Sequence, residues 1–393
     1  MHILLMPSFY PSPRRPVTGV FFHEQADALR RRGHQVGAIV MPRISVTLEH
    51  VQRGGLGALP DMFGTSREAE YTDFPVYRMH WGWFPRPLPP IVAPLVAGAG
   101  LRAYDAYVRA HGRPDVIHAH NIFYGGHVAA VIRAKRDVPV VLTEHSSSYM
   151  ENLIIFPGQS SIIRDVLTCV DSRLAVSGEL ARAMNGYALG QAIDVVGNII
   201  NTTFFTPTPT PPSQTPFVFC SVSNFAKQKL LDVLIDAFAI AFSGESAILI
   251  LGGDGILRKE IELRVKEHGL SDQVRFTGLL SRQGVRDLLQ QSHALVSSSF
   301  VETFGVTLIE AMACGLPVIA TRSGGPDDFV NDENGILVPT RDVNALADAM
   351  RRLHANYAVY DPARIRAFCV ERFSEAAIMS RLELIYAQVQ RNG

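Results

Sequence analysis

Ser297-Ser-Ser-Phe-Val-Glu302-Thr-Phe-Gly305-Val-Thr-Leu-Ile-Glu310-Ala-Met-Ala-Cys-Gly315-Leu-Pro317 is the stretch on which the fold of this chain turns. The apolar residues 293–297 enter it as a short strand, a loop carries Glu302, and a helix starts near Gly305. Gly315 and Pro317 end that helix and launch the next strand. The helix start offers N–H groups that have no intrahelical acceptor, at the positive end of the helix dipole. Gly305 lets the backbone approach a ligand closely. A diphosphate fits that place without a metal ion. Glu310 lies just over one turn into the helix, on the side where a ribose would meet its carboxylate; Glu302 precedes the helix, within reach of a hexose hydroxyl.

The same rhythm runs outward. The second half reads as strands at 217–223, 247–251, 274–277, 293–297, 317–320 and 335–338, with helices at 230–242, 342–355 and 374–390 among them. In the first half, residues 2–6, 36–41, 116–119, 138–143, 174–177 and 195–196 read as strands, and residues 20–32 as a helix stopped by Gly33. Between the halves lies Thr-Pro-Thr-Pro-Thr-Pro-Pro-Ser-Gln-Thr-Pro, residues 206–216, a proline-rich hinge with no core to offer. The pattern predicts an α/β protein of two doubly wound, Rossmann-like domains, 1–205 and 217–393, facing a cleft at the carboxyl ends of their strands. The last helix is a candidate to pack back on the first domain.

Bulk properties fit. A chain of 393 residues, 47% hydrophobic and 19% charged, is large enough for two cores. Lys plus Arg and Asp plus Glu both total 37, so the basic excess of a general nucleic-acid binder is missing. The local groups Arg14-Arg15 and Arg30-Arg31-Arg32 read first as solvated helix faces and second as a membrane-surface or anionic-acceptor patch. Cys169, Cys220, Cys314 and Cys369 form no CxxC pair, which argues against zinc and for buried thiols in a reducing compartment. Met-His-Ile-Leu-Leu-Met-Pro at the start reads as a strand, not a signal peptide. The apolar residues 91–101 are about half the length of a spanning helix. The expectation is a cytoplasmic protein, the inner face of the membrane being the alternative. Trp81 and Trp83 read as packing residues before sugar-stacking ones.

Glu302 and Glu310, with seven residues between them and Ala311-Met-Ala-Cys-Gly-Leu-Pro-Val-Ile-Ala320 behind, resemble the hallmark of the family 4 retaining glycosyltransferases. Gly252-Gly-Asp-Gly255, Phe276-Thr-Gly278, Ser323-Gly-Gly325 and Asn334-Gly-Ile-Leu-Val-Pro339 match further segments of that family. In the first half, Gly19, Gly33-His-Gln-Val36, Asp115-Val-Ile-His-Ala-His120, Thr143-Glu-His145, Val176-Ser177 and Gly197-Asn198 follow in family order. The resemblance implies the GT-B architecture, with the donor on the second domain and the acceptor on the first. It implies retaining transfer of a hexose or N-acetylhexosamine from a nucleotide diphosphate sugar, UDP favoured, to a hydroxyl. The nucleotide sugar is then a substrate, and neither cofactor nor metal is expected. The acceptor would be a saccharide or lipid-linked saccharide of cell-surface polysaccharide or glycolipid assembly, with peripheral membrane contact as a corollary.

Carried over residue by residue, the resemblance gives His120, Glu302 and Lys229 as the catalytic set. Gly19, His118, Asn224, Gly253, Thr303, Phe304, Gly305 and Glu310 form the donor set, and Glu144 and His145 the acceptor pair. His118 and His120 share a face of their strand, and His120, at its mouth, is preferred. Gly19 would let the loop 8–18 close over donor and acceptor. The phosphate clamp departs from the family: Asn224 stands where an Arg is common, and Leu230 where a Gly follows the Lys. An amide hydrogen-bonds a phosphate but does not pair with it as a guanidinium does. Lys227 is either the substitute charge or a solvated lysine. A non-hydrolysing sugar-nucleotide epimerase and a catalytically silent nucleotide-binding subunit stay open as alternatives. A dinucleotide oxidoreductase does not, because no Gly-x-Gly-x-x-Gly follows a strand.

Overall fold

A computed structural model describes residues 1–11, 19–41, 44–45, 65–67, 73–79, 82–83, 89–151, 153–154, 158–208, 212–213 and 215–392. Arg14-Arg15, most of the loop 8–18, Trp81 and the side chain of Trp83 lie outside the described residues. The chain forms two compact units: residues 1–176, 180–196 and 379–393, and residues 177–179 with 197–378.

The first unit is built on β1 (His2–Pro7), β2 (Gln35–Val40), β4 (Thr65–Arg67), β5 (Val76–Met79), β7 (Val116–His120), β8 (Val140–Glu144), β9 (Ser172–Ala175) and β10 (Asp194–Val195). Their order is β10-β9-β8-β7-β1-β2-β5-β4, parallel except for the antiparallel edge strand β4. A separate two-stranded sheet pairs β3 (Ile44–Ser45) with β6 (Gly82–Trp83). Every residue of β1, β7 and β8 is buried, as expected when helices cover both faces of a parallel sheet. The helix Pro89–His111 was legible only as an apolar run; it buries Tyr104 and Tyr107. Gly37 makes room for it, because a Cβ there would fall 2.1 Å from the Tyr107 hydroxyl. Among the described residues, no helix is long and apolar enough to cross a membrane.

The second unit holds β11 (Phe217–Val222), β12 (Ala247–Gly252), β13 (Val274–Gly278), β14 (Ala294–Ser297), β15 (Val318–Thr321) and β16 (Gly335–Val338). All pair in parallel, in the order β13-β12-β11-β14-β15-β16. The edge strand β13 alternates exposed residues with buried or partly buried ones, whereas Phe217 and Phe219 of central β11 are buried among Phe238, Phe242 and Leu249.

In both sheets the order reverses at the first strand. β1 lies between β2 and β7, and β11 between β12 and β14. Such switch points leave a crevice at the carboxyl ends of the strands, where ligands bind. Pro7 and His120 reach that edge in one unit, and Ser223 and Ser297 in the other.

The division falls at Val196/Gly197, ahead of the proline-rich stretch. Residues 197–206 are tied into the second unit: Ile200 N donates to Phe373 O at 2.9 Å, and Arg366 donates to Thr202 O at 2.7 Å and to Phe205 O at 2.9 Å. Gln290 Nε2 donates to Thr206 O at 2.7 Å. The terminal helix Glu375–Asn392 contributes residues 379–392 to the first unit, burying Met379, Leu382, Tyr386 and Val389 there. The spacing of three and four residues is that of one helix face.

Candidate functional site

In the second unit, Lys229 Nζ lies 2.6 Å from Glu302 Oε2, both side chains about four-fifths covered. Lys229 belongs to a short 3₁₀ turn after β11, and that turn is stitched to the serine loop after β14. Ser298 Oγ donates to Lys229 O at 2.8 Å, and Phe300 N donates to Gln228 O at 2.7 Å. Glu302 is fixed from the other side, its N–H donating to Ser323 O at 2.9 Å and its carbonyl accepting from Gly325 N at 2.7 Å. A pocket bounded by Ser223, Lys229, Ser297, Ser299, Glu302 and Thr307 lies over this pair. Gly305 starts the helix Val306–Ala313 at φ 93°, a left-handed conformation that favours glycine, and no side chain caps the helix among the described residues. Leu308 N donates to Gly305 O at 3.0 Å, which leaves the N–H groups of the two residues before it, Val306 and Thr307, for an anion.

The glycine turn is a packing requirement. Gly253 has φ 126°, and a Cβ there would fall 1.9 Å from Ser223 O. A Cβ on Gly255 would come 2.6 Å from Asn224 Oδ1. The loops after β11 and β12 therefore sit flush, with Asn224 and Lys227 exposed at the rim. Glu310 is half-buried, and desolvation pushes its carboxyl up to about 7, with the Arg282 charge opposing the rise. The Arg282 guanidinium is itself held over the rings of Phe204 and Phe205, at 5.4 and 5.1 Å. Thr303 is half-buried beside Glu302. The buried ring of Phe304 packs on Phe329 and Phe373 at 5.9 and 5.6 Å and its backbone lies against Gly325, so its side chain supports the loop from within.

In the first unit, His120 is fully buried against Phe22 and His118, with ring centroids 4.6 and 4.3 Å away. Its Nδ1 is 3.2 Å from His145 Nε2, and among the described residues its Nε2 has no hydrogen-bond partner. Burial holds the His120 ring well below the usual imidazole range, with His118 and His145 adding to the effect. Such an orphaned polar atom in a closed core points to a ligand. Half-buried His145 packs on Phe21, tilted, and edge-on to Phe22, at 5.3 and 5.1 Å. Gly19 caps the helix Val20–Arg31 at φ 74°, wedged between Phe9 and Phe22.

Two further polar residues of the first unit are taken up by the chain. Both ring nitrogens of His118 are engaged: its Nδ1 lies 2.6 Å from the Tyr386 hydroxyl and 2.9 Å from Gln25 Nε2, and its Nε2 2.8 Å from Thr143 Oγ1. Glu144, 1% exposed, spends its carboxylate on the chain. It accepts from Ile122 N, His145 N and Ser146 N, each at 2.9 Å. Burial raises its pKa against those donors. Sequence missed Tyr386, Gln25 and Thr143. The helix periodicity marks Tyr386 as buried, but nothing in it names His118 as its partner. The pocket hydroxyls Ser297, Ser299 and Thr307 were legible only as part of the quoted stretch. All four cysteines are free, with Cys220, Cys314 and Cys369 buried.

Residues 18–204 match the family described as Glycosyltransferase Family 4, and residues 206–367 match Glycosyl transferases group 1. The N-acetyl-alpha-D-glucosaminyl L-malate synthase of Bacillus anthracis is 34% identical over 187 residues, 46% of this chain and 48% of that protein. The chain spans about half the length of the first curated relatives it matches, 48% and 51%. A sucrose-phosphate synthase from Thermosynechococcus elongatus shares the fold at a TM-score of 0.78 and 20% identity, with all of both chains covered. Anabaena HepE, solved with UDP and glucose, shares it at 0.74 and 20% identity, over 99% of this chain and 100% of that one.

Proposed function

The chain belongs to the family 4 glycosyltransferases of GT-B fold, and we propose that it moves a hexose or N-acetylhexosamine from a nucleotide diphosphate sugar to a hydroxyl, with retention of configuration. The nucleotide sugar is the substrate, and neither a resident cofactor nor a metal ion is needed. The observation that carries this reading is the Lys229–Glu302 pair at 2.6 Å beside the uncapped start of Val306–Ala313. A cation and a row of N–H groups meet where a leaving diphosphate would gather charge, and Glu302 stands beside them for a sugar hydroxyl. Fixed donors aimed at developing charge are worth several kcal/mol of barrier, roughly 3–4 each. Glu310 takes the ribose. In the first unit, His120 Nε2 is the buried atom that a substrate hydroxyl would satisfy.

A UDP-linked N-acetylhexosamine is the favoured donor, supported by the name of the Bacillus anthracis relative and by the UDP bound to Anabaena HepE. A saccharide or lipid-linked saccharide of cell-surface polysaccharide or glycolipid assembly is the proposed acceptor. The decisive experiment is a panel of nucleotide sugars, each scored for thermal stabilisation and for nucleoside diphosphate release with and without EDTA. Stabilisation by UDP-N-acetylglucosamine with EDTA-resistant UDP release is expected. Complete loss in EDTA would remove the metal-free assignment. The exposed Asn224 favours one second reading, a silent nucleotide-binding subunit; binding without any release, for every sugar and acceptor tried, would establish it.

A further inference from the structure

Tyr386 comes from the last helix, more than two hundred and fifty residues away in sequence from the strand it meets, and is fully buried. The contact sits directly behind His120. An amide nitrogen only donates, so Gln25 Nε2, 2.9 Å from His118 Nδ1, identifies that ring nitrogen as an acceptor. The Tyr386 hydroxyl, 2.6 Å from the same nitrogen, is the nearer donor, and the two share that nitrogen's single lone pair. The ring proton of His118 then resides on Nε2 and is donated to Thr143 Oγ1 at 2.8 Å. Burial holds His118 neutral, its pKa lowered to about 3. Every polar atom of its ring is engaged, and the ring is pinned 4.3 Å from that of His120, tilted by 31°. The Phe22 ring also packs on His120, at 4.6 Å. His120 is thus in contact with two rings, one of which is held by the terminal helix.

We infer that Tyr386 is a positioning residue: acting through His118, it holds the His120 ring so that its free Nε2 points at the substrate. A hydroxyl donor from the last helix thereby sets the aim of a residue on β7. The inference rests on the reading of His120 as a substrate-contacting group, and the experiment separates the two.

Tyr386→Phe keeps the buried ring and deletes only the hydroxyl. With UDP-N-acetylglucosamine as probe, it should lower kcat for UDP release about tenfold while KM for the donor stays within about twofold. The ¹⁵N resonance of His118 Nδ1 should move towards that of a nitrogen with one fewer donor, and the His120 ring signals should shift with it. In a His118→Asn background, Tyr386→Phe should cause no further loss. Gln25→Met, which removes the other donor, serves as a second variant should Tyr386→Phe fold poorly, and it should lower kcat in the same way. Unchanged kcat and unchanged imidazole signals in both variants would overturn the inference. Losses from Tyr386→Phe and His118→Asn that multiply would overturn it too, since the two would then act separately. Wild-type turnover in His120→Asn would instead overturn the assignment of His120, with the imidazole shifts still reporting whether Tyr386 holds His118.

Discussion

Lys229 Nζ is bonded at 2.6 Å to Glu302 Oε2, so the cation expected to meet the diphosphate is already occupied by a carboxylate. The donor must share or displace that partner. Glu302→Gln should therefore free the ammonium and tighten binding of UDP alone. A largely covered pair of this kind is worth about 1 kcal/mol, or roughly fivefold in affinity. The same variant should lower turnover of the intact nucleotide sugar, because the sugar contact is lost. Lys229→Met should weaken UDP and cut kcat by about 10²- to 10³-fold. Calorimetry with UDP and with the nucleotide sugar, beside a UDP-release assay, checks both; UDP affinity reduced in Glu302→Gln would mean that the pair is a preformed clamp and not a competitor.

Leu230 shows how a departure from the family pattern is absorbed. It takes φ 45°, ψ 47°, the left-handed conformation a glycine would adopt freely. A Cβ in that region costs about 1–2 kcal/mol. Leu230→Gly should thus be more stable than Leu230→Ala by about 1 kcal/mol, since both lose the same side chain and only one keeps the strain. Paired denaturant titrations of the two variants test it, and an Ala variant more stable than the Gly variant would refute the strain.

Much of this architecture was legible. The strands were readable because a parallel sheet buried on both faces leaves unbroken apolar runs, and β1, β7, β11 and β16 lie within a residue or two of where the sequence puts them. The motif Glu302–Glu310 was readable because strand, glycine and helix must follow one another directly. The partners of His118 and Glu144 were not. Whether a polar residue at a strand end faces a ligand or closes a neighbouring loop depends on chain that arrives from far away: Tyr386 in one case, and the N–H groups of Ile122 and Ser146 in the other. The compact units divide at Val196/Gly197, ahead of the proline-rich stretch, for a related reason. That stretch is conspicuous in sequence, but the carbonyls of Thr202, Phe205 and Thr206 before it are held by Arg366 and Gln290.

Glu144 supplies a prediction that separates structure from substrate contact. Its carboxylate accepts three backbone N–H bonds in a buried loop. Glu144→Gln turns one acceptor oxygen into a donor facing those N–H groups, and an unsatisfied buried donor costs about 1–3 kcal/mol. The variant should unfold at a temperature several degrees lower, about 2–4 °C per kcal/mol for a domain of this size, while KM for any acceptor stays near wild type in the folded fraction. A large rise in acceptor KM with an unchanged melting temperature would assign Glu144 to the acceptor site.

With Glu310 on the ribose, as proposed, donor binding should depend on pH. Its carboxyl is raised from 4.5 to about 7 by burial, with Arg282 opposing the rise. A group whose folded pKa exceeds its unfolded value stabilises the fold below the unfolded pKa and loses that contribution as pH rises through the folded one. For Glu310 the window is about pH 4.5 to 7, so the unliganded protein should lose this part of its stability across it. Ribose hydroxyls donate to a carboxylate, so donor binding requires the ionised form and runs the other way. Affinity for a nucleotide sugar, whose diphosphate does not titrate here, should fall about tenfold from pH 8 to pH 6, with proton release on binding near neutrality. Glu310→Gln should bind more weakly at pH 8 and lose the slope. Arg282→Met removes the opposing charge, so the midpoint should move above 7 while Glu310 remains. Calorimetry at each pH, in two buffers of different ionisation enthalpy, measures affinity and proton count together; a slope that persists in Glu310→Gln would assign the titration to another group and remove the ribose role.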